Sequence, residues 1–230
     1  VNQQFLVGAP GRTLASLAGE PMGASSPGDL TDFLIEVTTA RVTHAASETR
    51  YVGNSRARFK ALLDGEIARM VFTDPPYNVR VNGHVRSGQK GEHREFAMAS
   101  GEMTDAEFHA FLSRFITRFM EPLPEGGVAM ICMDWRHIAD LIVAGKGCGL
   151  ELINLCVWNK TNGGMGGLYR SKHELVCIFR KPGAPHINNV ELGKHGRNRT
   201  NVWDYAGVNS FGKGREADLA DHPTVKPRKM

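Results

Sequence analysis

The sequence has few cysteines, and their spacing is not that of a metal site or a disulfide framework. No Cys-x-x-Cys pair occurs, and three of the four cysteines lie inside apolar runs, where a free thiol behaves as a small buried hydrophobe. We therefore expect neither structural zinc nor disulfides, and no metal cofactor. The cysteines are Cys132, Cys148, Cys156 and Cys177.

Long apolar runs and a targeting segment are also lacking. No stretch approaches the roughly 18 consecutive apolar residues that span a bilayer, so no membrane partner is expected. Residues 1–20 contain no basic segment followed by an apolar one. This absence predicts that there is no signal peptide and that the protein is cytoplasmic.

The charge balance has no strong excess of either sign. A formal net charge of +4 permits nucleic-acid binding but does not by itself indicate it. A hydrophobic fraction of 41% and a charged fraction of 23% are typical of a globular protein, which argues against a disordered or membrane-embedded chain. A chain of 230 residues can form one sizeable domain, or one domain with extensions.

Apolar runs of strand length alternate with helical patterns from residue 50 onward. The runs are continuous, as in strands that are buried on both faces of a sheet. The clearest helical pattern has Thr104 as its N-cap and Glu107 three residues later, which is a capping box. The alternation predicts an α/β protein with a layered sheet. Predicted strands cover residues 51–54, 67–73, 128–133, 150–158 and 174–179, and predicted helices cover 56–63, 105–120 and 136–144.

The two ends of the chain are patterned differently from this middle part. Small residues and proline dominate residues 19–28, so we expect residues 1–49 to be a weakly ordered N-terminal extension with one short helix around 29–39. Residues 50–230 are predicted to form the main folded domain. Within it, residues 181–220 are rich in Gly and Asn and are expected to form loops or a target-recognition region.

The motif that carries the chemistry is Asp74-Pro75-Pro76-Tyr77, directly after a predicted buried strand. In open α/β sheets, ligands bind outside the carboxyl ends of the strands. The exocyclic amino group of a base is a weak nucleophile because its lone pair is delocalised into the ring. Asp74 and the carbonyl of Pro75 can accept hydrogen bonds from this group and favour a tetrahedral nitrogen, while the proline rings restrict the backbone.

Tyr77 completes this predicted base-binding corner. Its ring can stack on the face of a base, an interaction worth roughly 1–3 kcal/mol. Because the chemistry cannot reach an atom inside a duplex, the base must be flipped out. The competing interpretation is a strand followed by a Pro-Pro turn with an incidental aspartate. The buried strand before the motif and the polar segment after it favour the functional interpretation.

The order of the motifs resembles that of the β group of DNA amino-methyltransferases, in which the catalytic tetrapeptide precedes the cofactor-binding half. The similarity extends over residues 51–227 and implies a Rossmann-like, S-adenosylmethionine-dependent methyltransferase sheet. Besides the tetrapeptide, it depends on VAMICMDWR at 128–136, LCVWNK at 155–160, GGMGGLYRS at 163–171, HELVCIF at 173–179 and HPTVKP at 222–227.

The resemblance implies S-adenosyl-L-methionine as the cofactor. Asn54 stands where the family usually has Asp, and the family's glycine-rich cofactor loop, which should follow the HPTxKP segment, has no counterpart before Met230. We therefore expect a sheet that is incomplete in its C-terminal cofactor-binding half. The expected protein partner is a second copy in a homodimer, or a complementing chain that supplies the missing loop. The residues implied to bind the cofactor are Asn54, Asp74, His222, Pro223, Thr224, Lys226 and Pro227.

Basic residues near the motif and in the tail are candidates for DNA contacts. Those in residues 80–94 follow the catalytic corner and predict a loop that orders on DNA. For the others, the competing interpretation is that they belong to a solvated loop or tail. Contacts to phosphate would fix the position of the protein on DNA without recognising the base sequence. The candidates are Arg80, Arg86, Lys90, Arg94, Arg170, Lys172, Arg197 and Arg199.

The resemblance implies a site-specific DNA methyltransferase of the restriction–modification type, which transfers a methyl group directly to N6 of a flipped-out adenine. Within the family, Asp at the first motif position favours adenine and Ser favours N4 of cytosine, so cytosine remains the alternative. A catalytically defective DNA-binding fragment is a second alternative, because the glycine-rich loop is missing. Methylation of a protein amide is disfavoured, since related enzymes of that kind carry Asn at the position of Asp74.

Overall fold

The computed structural model describes residues 67–79, 99–164 and 168–207 with their side chains, together with the backbone of three N-terminal strands, Gln3–Val7, Leu34–Ala40 and Glu48–Asn54. These residues form one mixed sheet of eight strands in the order β3-β2-β1-β4-β5-β7-β6-β8. The strands are β1 (Gln3–Val7), β2 (Leu34–Ala40), β3 (Glu48–Asn54), β4 (Met70–Thr73), β5 (Val128–Met133), β6 (Glu151–Asn159), β7 (His173–Arg180) and β8 (Val202–Asp204).

Strand direction changes across this sheet. β4 and β5 are parallel neighbours, and the connection between them contains helix α1 (Asp105–Met120). Helix α2 (Ile138–Gly147) lies between β5 and β6 in sequence. β7 is antiparallel to both of its neighbours, β5 and β6, while β8 is parallel to β6. The predicted α/β class is therefore confirmed, with a reversed strand that the sequence patterns did not indicate.

Helix α1 has the predicted limits, because its beginning and its buried face are both encoded locally. Thr104 accepts a hydrogen bond from the backbone N–H of Glu107, whose carboxylate in turn accepts one from the backbone N–H of Thr104. This is the capping box that the sequence predicts. Six apolar side chains form the buried face: Phe108, Phe111, Leu112, Phe115, Ile116 and Phe119.

The main core lies between the sheet and the two described helices. Alternate residues of β5 point to it, since Ala129, Ile131 and Met133 are fully buried against the helix side. The ring of Phe179 from β7 packs so closely on Gly145 of α2 that a side chain at that glycine would collide with it. A smaller cluster covers the opposite face of the sheet and consists of Cys132, Cys156, Val176 and Ile178.

Other sequence predictions are corrected at their boundaries. The run predicted at 67–73 becomes a strand only from Met70, and the helix predicted at 136–144 is shifted to Ile138–Gly147. The strands predicted at 150–158 and 174–179 are Glu151–Asn159 and His173–Arg180. The helix predicted at 56–63 lies outside the described residues.

The short helix predicted around residues 29–39 is wrong. Residues Leu34–Ala40 form a strand that pairs parallel with β1 and antiparallel with β3. Its sequence, LIEVTTA, is rich in β-branched residues, whose restricted side chains favour an extended backbone. Residues 3–7 and 34–40 thus contribute to the same sheet, and the domain boundary at residue 50 stays a prediction.

Within the part of the chain that the structure describes, the helices are too short or too polar to cross a membrane. The same residues contain no group of three His, Cys, Asp or Glu side chains arranged to hold a metal ion.

The capping box gives a stability prediction. Thr104→Ala removes the side-chain acceptor at the N-terminus of α1 and should lower the free energy of unfolding by about 1 kcal/mol. Urea denaturation followed by circular dichroism measures the change. Thr117→Ala, an exposed threonine in the interior of the same helix, is the control and should be neutral or slightly stabilising. Equal midpoints for wild type and Thr104→Ala would contradict the prediction.

Candidate active site

The predicted catalytic tetrapeptide begins directly after β4, where the sheet presents several strand ends together. Asp74 is half-buried, and the rings of Pro75 and Pro76 behind it are buried. Thr73 at the end of β4 pairs with Ile131 of β5, so the chain leaves both strands at the same edge. The predicted position of the motif at the carboxyl end of a sheet strand is therefore observed.

The reversed strand β7 brings its amino end to this edge. Leu175 pairs with Met133 at the end of β5, and Glu174 pairs with Trp158 near the end of β6. Trp158 is also paired with Trp203 of β8. The ends of β4, β5, β6 and β8 and the beginning of β7 thus surround one region, which we call the strand-end site.

The centre of the strand-end site is the hydroxyl of Tyr77. Its oxygen lies 2.5 Å from Oδ1 of Asp74 and 3.1 Å from Oε2 of Glu174, with hydrogen-bond geometry toward each carboxylate. Burial, and then the negative charges of Asp74 and Glu174, raise the pKa of the Tyr77 phenol well above its ordinary value of 10.0. The phenol therefore stays protonated and acts as a donor to these carboxylates.

Glu174 is held from its other side by Lys160. The Lys160 ammonium forms an ion pair with Oε1 of Glu174 and lies 4.9 Å from the centre of the Trp158 ring, a cation–π distance. Trp158 is itself fixed, because its indole N–H donates to the carbonyl of Tyr205 at 2.9 Å. A chain of contacts across β6, β7 and β8 thus positions the Glu174 carboxylate.

Asn78 fixes the end of the tetrapeptide. Its φ of 54° lies in the left-handed region, which Asn tolerates better than most residues. Its side-chain oxygen accepts from the backbone N–H groups of Gly101 and Met103 at 3.0 Å and 3.3 Å, and its amide donates to the carbonyl of Met103 at 2.9 Å. The backbone after Tyr77 is therefore attached to the segment that leads into α1.

A second acidic corner follows β5. Asp134 is buried and accepts from the backbone N–H groups of Arg136 and His137 and from the Arg136 guanidinium at 2.7 Å. That guanidinium lies 4.8 Å from the centre of the Trp135 ring, which is 54% exposed. Trp135 therefore lies at the surface, whereas Trp158 is buried.

The basic residues predicted to contact DNA differ from one another in their surroundings. Arg170 donates to the carbonyls of Gly163 and Gly164, so it stabilises its own loop. Arg197 contacts Glu191 and the carbonyl of Asn189. Lys172 and Arg199 are exposed. The DNA-contact role of these residues stays a prediction.

Several predicted site residues cannot be placed in this geometry. Asn54 is described only as the last residue of β3. The remaining cofactor contacts, in residues 222–227, and the basic residues at 80–94 lie outside the described residues.

Sequence reasoning did not single out Glu174, Lys160 and Asn78. Lys160 and Glu174 stand at the end of one strand and near the start of the next, where charged residues are ordinary. Tyr77 and Glu174 are 97 residues apart in sequence, so local patterns could not connect them. Asn78, next to the motif, carried a weak signal, since Asn is common where the backbone has a positive φ.

Comparisons with known proteins found similar sequences. A family model described as DNA methylase, for N6 and N4 methyltransferases, matches residues 68–230. The type II methyltransferase M2.DpnII of Streptococcus pneumoniae is 26% identical over 184 residues, which cover 74% of this chain and 65% of that protein. The chain therefore spans less than two thirds of the length of this curated relative.

Two solved structures are similar at lower identity. PvuII DNA methyltransferase, described as cytosine-N4-specific, has a TM-score of 0.48 and 14% identity, over 73% of this chain and 63% of that one. The complex of M1.HpyAVI with S-adenosylmethionine has a TM-score of 0.40 and 15% identity, over 69% of this chain and 64% of that one.

The raised pKa of Tyr77 gives a prediction for the pH dependence of stability. Above about pH 10 the phenol of the unfolded chain loses its proton while the folded phenol keeps it, so the free energy of unfolding falls as pH rises. Tyr77→Phe removes this contribution. The stability difference between wild type and Tyr77→Phe should therefore shrink between about pH 8 and about pH 10.5, as measured by urea denaturation.

The control for this experiment is Tyr169→Phe, whose ring is 84% exposed and which should change stability little at either pH. A difference between wild type and Tyr77→Phe that is constant with pH would show that the phenol is not held protonated by its two carboxylate neighbours.

Proposed function

Because this chain belongs to the DNA methylase family of N6 and N4 methyltransferases, we propose that it methylates N6 of adenine in DNA. Enzymes of this family take the methyl group from S-adenosylmethionine. The observation that carries the proposal is the half-buried Asp74 carboxylate at the carboxyl end of β4, with Pro75 and Pro76 buried behind it. In open α/β sheets, ligands bind at this end of the strands.

The protein has to supply hydrogen-bond acceptors for the amino group of the base and a group that takes up its proton. When bound, S-adenosylmethionine supplies an electrophilic methyl group on a positively charged sulfur. Asp74 accepts a hydrogen bond from the amino group of the base, which increases the electron density on its nitrogen. Asp74 would hold the amino group and would take up, directly or through a water molecule, the proton that the nitrogen loses on methylation, while the electron pair of the broken sulfur–methyl bond would stay on the sulfur of the cofactor. The Pro75 carbonyl is the other acceptor that the sequence predicts.

The described residues fit the cofactor at one point. Among the residues that the family resemblance implies as cofactor contacts, Asp74 has a side chain that the structure describes. Its partly exposed carboxylate lies at the strand-end site. The proposed contacts Asn54, His222, Pro223, Thr224, Lys226 and Pro227 would hold the rest of the cofactor. A complementing chain is proposed to supply the glycine-rich loop, and a homodimer is the alternative assembly.

The target base is proposed to leave the duplex and to stack on Tyr77. Lys172 and Arg199 are exposed and free to approach phosphates, whereas Arg170 and Arg197 would first have to leave their present partners. With Arg80, Arg86, Lys90 and Arg94, these residues form the proposed DNA-contacting set. DNA as substrate agrees with the cytoplasmic location predicted from the sequence.

Adenine is proposed rather than cytosine because Asp, and not Ser, occupies the first motif position. Methyl transfer to unmethylated DNA of mixed sequence, followed by digestion to nucleosides and mass spectrometry, separates the two products. N6-methyladenine is the expected product, and N4-methylcytosine would establish the alternative. DNA binding without either product would identify a catalytically defective DNA-binding fragment.

Replacement of Asp74 tests the site itself. Asp74→Ala removes the acceptor beside the amino group and should reduce methyl transfer by about 100-fold or more. Glu151→Gln is the matched control, because Glu151 forms an ion pair with Arg180 at the opposite end of the β6–β7 pair. Normal methyl transfer by Asp74→Ala would rule out the proposed role of Asp74.

A further inference from the structure

The strand-end site contains one oxygen atom that faces two carboxylates. The Tyr77 hydroxyl is within hydrogen-bond distance of both Asp74 and Glu174, at 2.5 Å and 3.1 Å. A hydroxyl has a single proton, so it can donate to one of these carboxylates at a time. Two carboxylate oxygens around one point would suit a donor that has two protons.

An exocyclic amino group has two protons, and they diverge from one nitrogen. A nitrogen at the position of the Tyr77 oxygen could donate to Asp74 and to Glu174 at once. We propose that Glu174 is a second hydrogen-bond acceptor for the amino group of the target base, and that the Tyr77 hydroxyl occupies this position until the base displaces it. This inference rests on the proposed function and adds Glu174 to the residues that touch the substrate. It gives Glu174 the second amino proton, which the sequence had assigned to the Pro75 carbonyl.

The two oxygens of Glu174 have separate tasks in this arrangement. Oε1 forms the ion pair with Lys160, and Oε2 faces the Tyr77 hydroxyl. The attraction of the nearby ammonium offsets the repulsion between the Glu174 and Asp74 carboxylates in this partly buried place. Lys160 acts through Glu174 and is a positioning residue.

Strand direction makes the arrangement possible. Because β7 is antiparallel to β5, its second residue, Glu174, lies beside the carboxyl ends of the parallel strands β4 and β5. A parallel strand at the same place would present its amino end at the opposite edge of the sheet.

Two carboxylates at one point select for an amino group and against an oxo group. An oxo oxygen has no proton to donate, and it would place a third acceptor against the two carboxylates. Hypoxanthine is adenine with an oxo group in place of the amino group, and uracil is related to cytosine in the same way. These pairs test the inference for either target base.

The experiment measures the binding of single-stranded oligonucleotides by fluorescence anisotropy at fixed salt. The probes alternate thymine with adenine, hypoxanthine, cytosine or uracil. Wild type should bind the amino member of one pair about tenfold or more tightly than its oxo partner, because the oxo group leaves the acceptors of the site unpaired. Glu174→Gln should lose most of this preference, since its amide can donate to an oxo oxygen.

Two further variants complete the design. Glu151→Gln, the matched ion-pair control on the same strand pair, should keep the full preference. Tyr77→Phe keeps the ring that is proposed to stack on the base but has no hydroxyl to be displaced. It should therefore bind the amino probe more tightly than wild type while the preference is retained. Loss of the preference in Tyr77→Phe would overturn the displacement, because the hydroxyl itself would then recognise the base.

The remaining outcomes separate this inference from the proposed function. A full preference in Glu174→Gln would overturn the role of Glu174 while leaving DNA methylation intact. Equal binding of all four probes by wild type would also overturn the role of Glu174. Methyl transfer to duplex DNA would then test the proposed function independently. If wild type binds neither single-stranded nor duplex DNA, the role of Glu174 and the proposed DNA methylation are both wrong.

Discussion

The direction of β7 is the constraint on which the rest of the site depends. β4 and β5 run parallel and end at one edge of the sheet, whereas β7 runs back between β5 and β6 and begins at that edge. The side chains near its amino end therefore meet the residues that follow β4. If β7 were parallel to its neighbours, Glu174 would lie a full strand length away from Asp74, and the phenol of Tyr77 would face one carboxylate.

The electrostatics of the site follow from this arrangement. Two carboxylates near one partly buried point would repel each other in the absence of compensation. The structure compensates in two ways, with a protonated phenol between them and an ammonium group on the outer side of Glu174. Lys160 is in turn kept near Glu174 by the face of Trp158, whose ring is buried.

The elements that were predicted well are those specified by adjacent residues. Helix Asp105–Met120 begins with a capping box and repeats a buried apolar face, and β5 is a continuous apolar run. Strand Leu34–Ala40 was missed because its extended form depends on pairing with β1 and β3, which a local pattern does not contain. Propensity is a weak guide where such tertiary pairing decides the structure.

The same distinction between adjacent and distant residues applies to the candidate site. Asp74, Pro75, Pro76 and Tyr77 are contiguous and follow a buried strand, so the sequence located them. Glu174 and Lys160 enter the site through β-sheet register, which pairs Trp158 with Glu174. The same register brings Glu174 into contact with Tyr77, 97 positions earlier in the sequence. No spacing rule along the chain expresses that relation.

The hydrogen bonds of Asn78 have a consequence for the segment that follows it. Asn78 and Met103 are 25 positions apart and are joined by direct hydrogen bonds, so the intervening residues begin and end at neighbouring fixed points. The entropy cost of joining two points of a chain grows only slowly with the number of residues between them. That number can therefore change at little cost to stability, while Asp74 and Tyr77 keep their places.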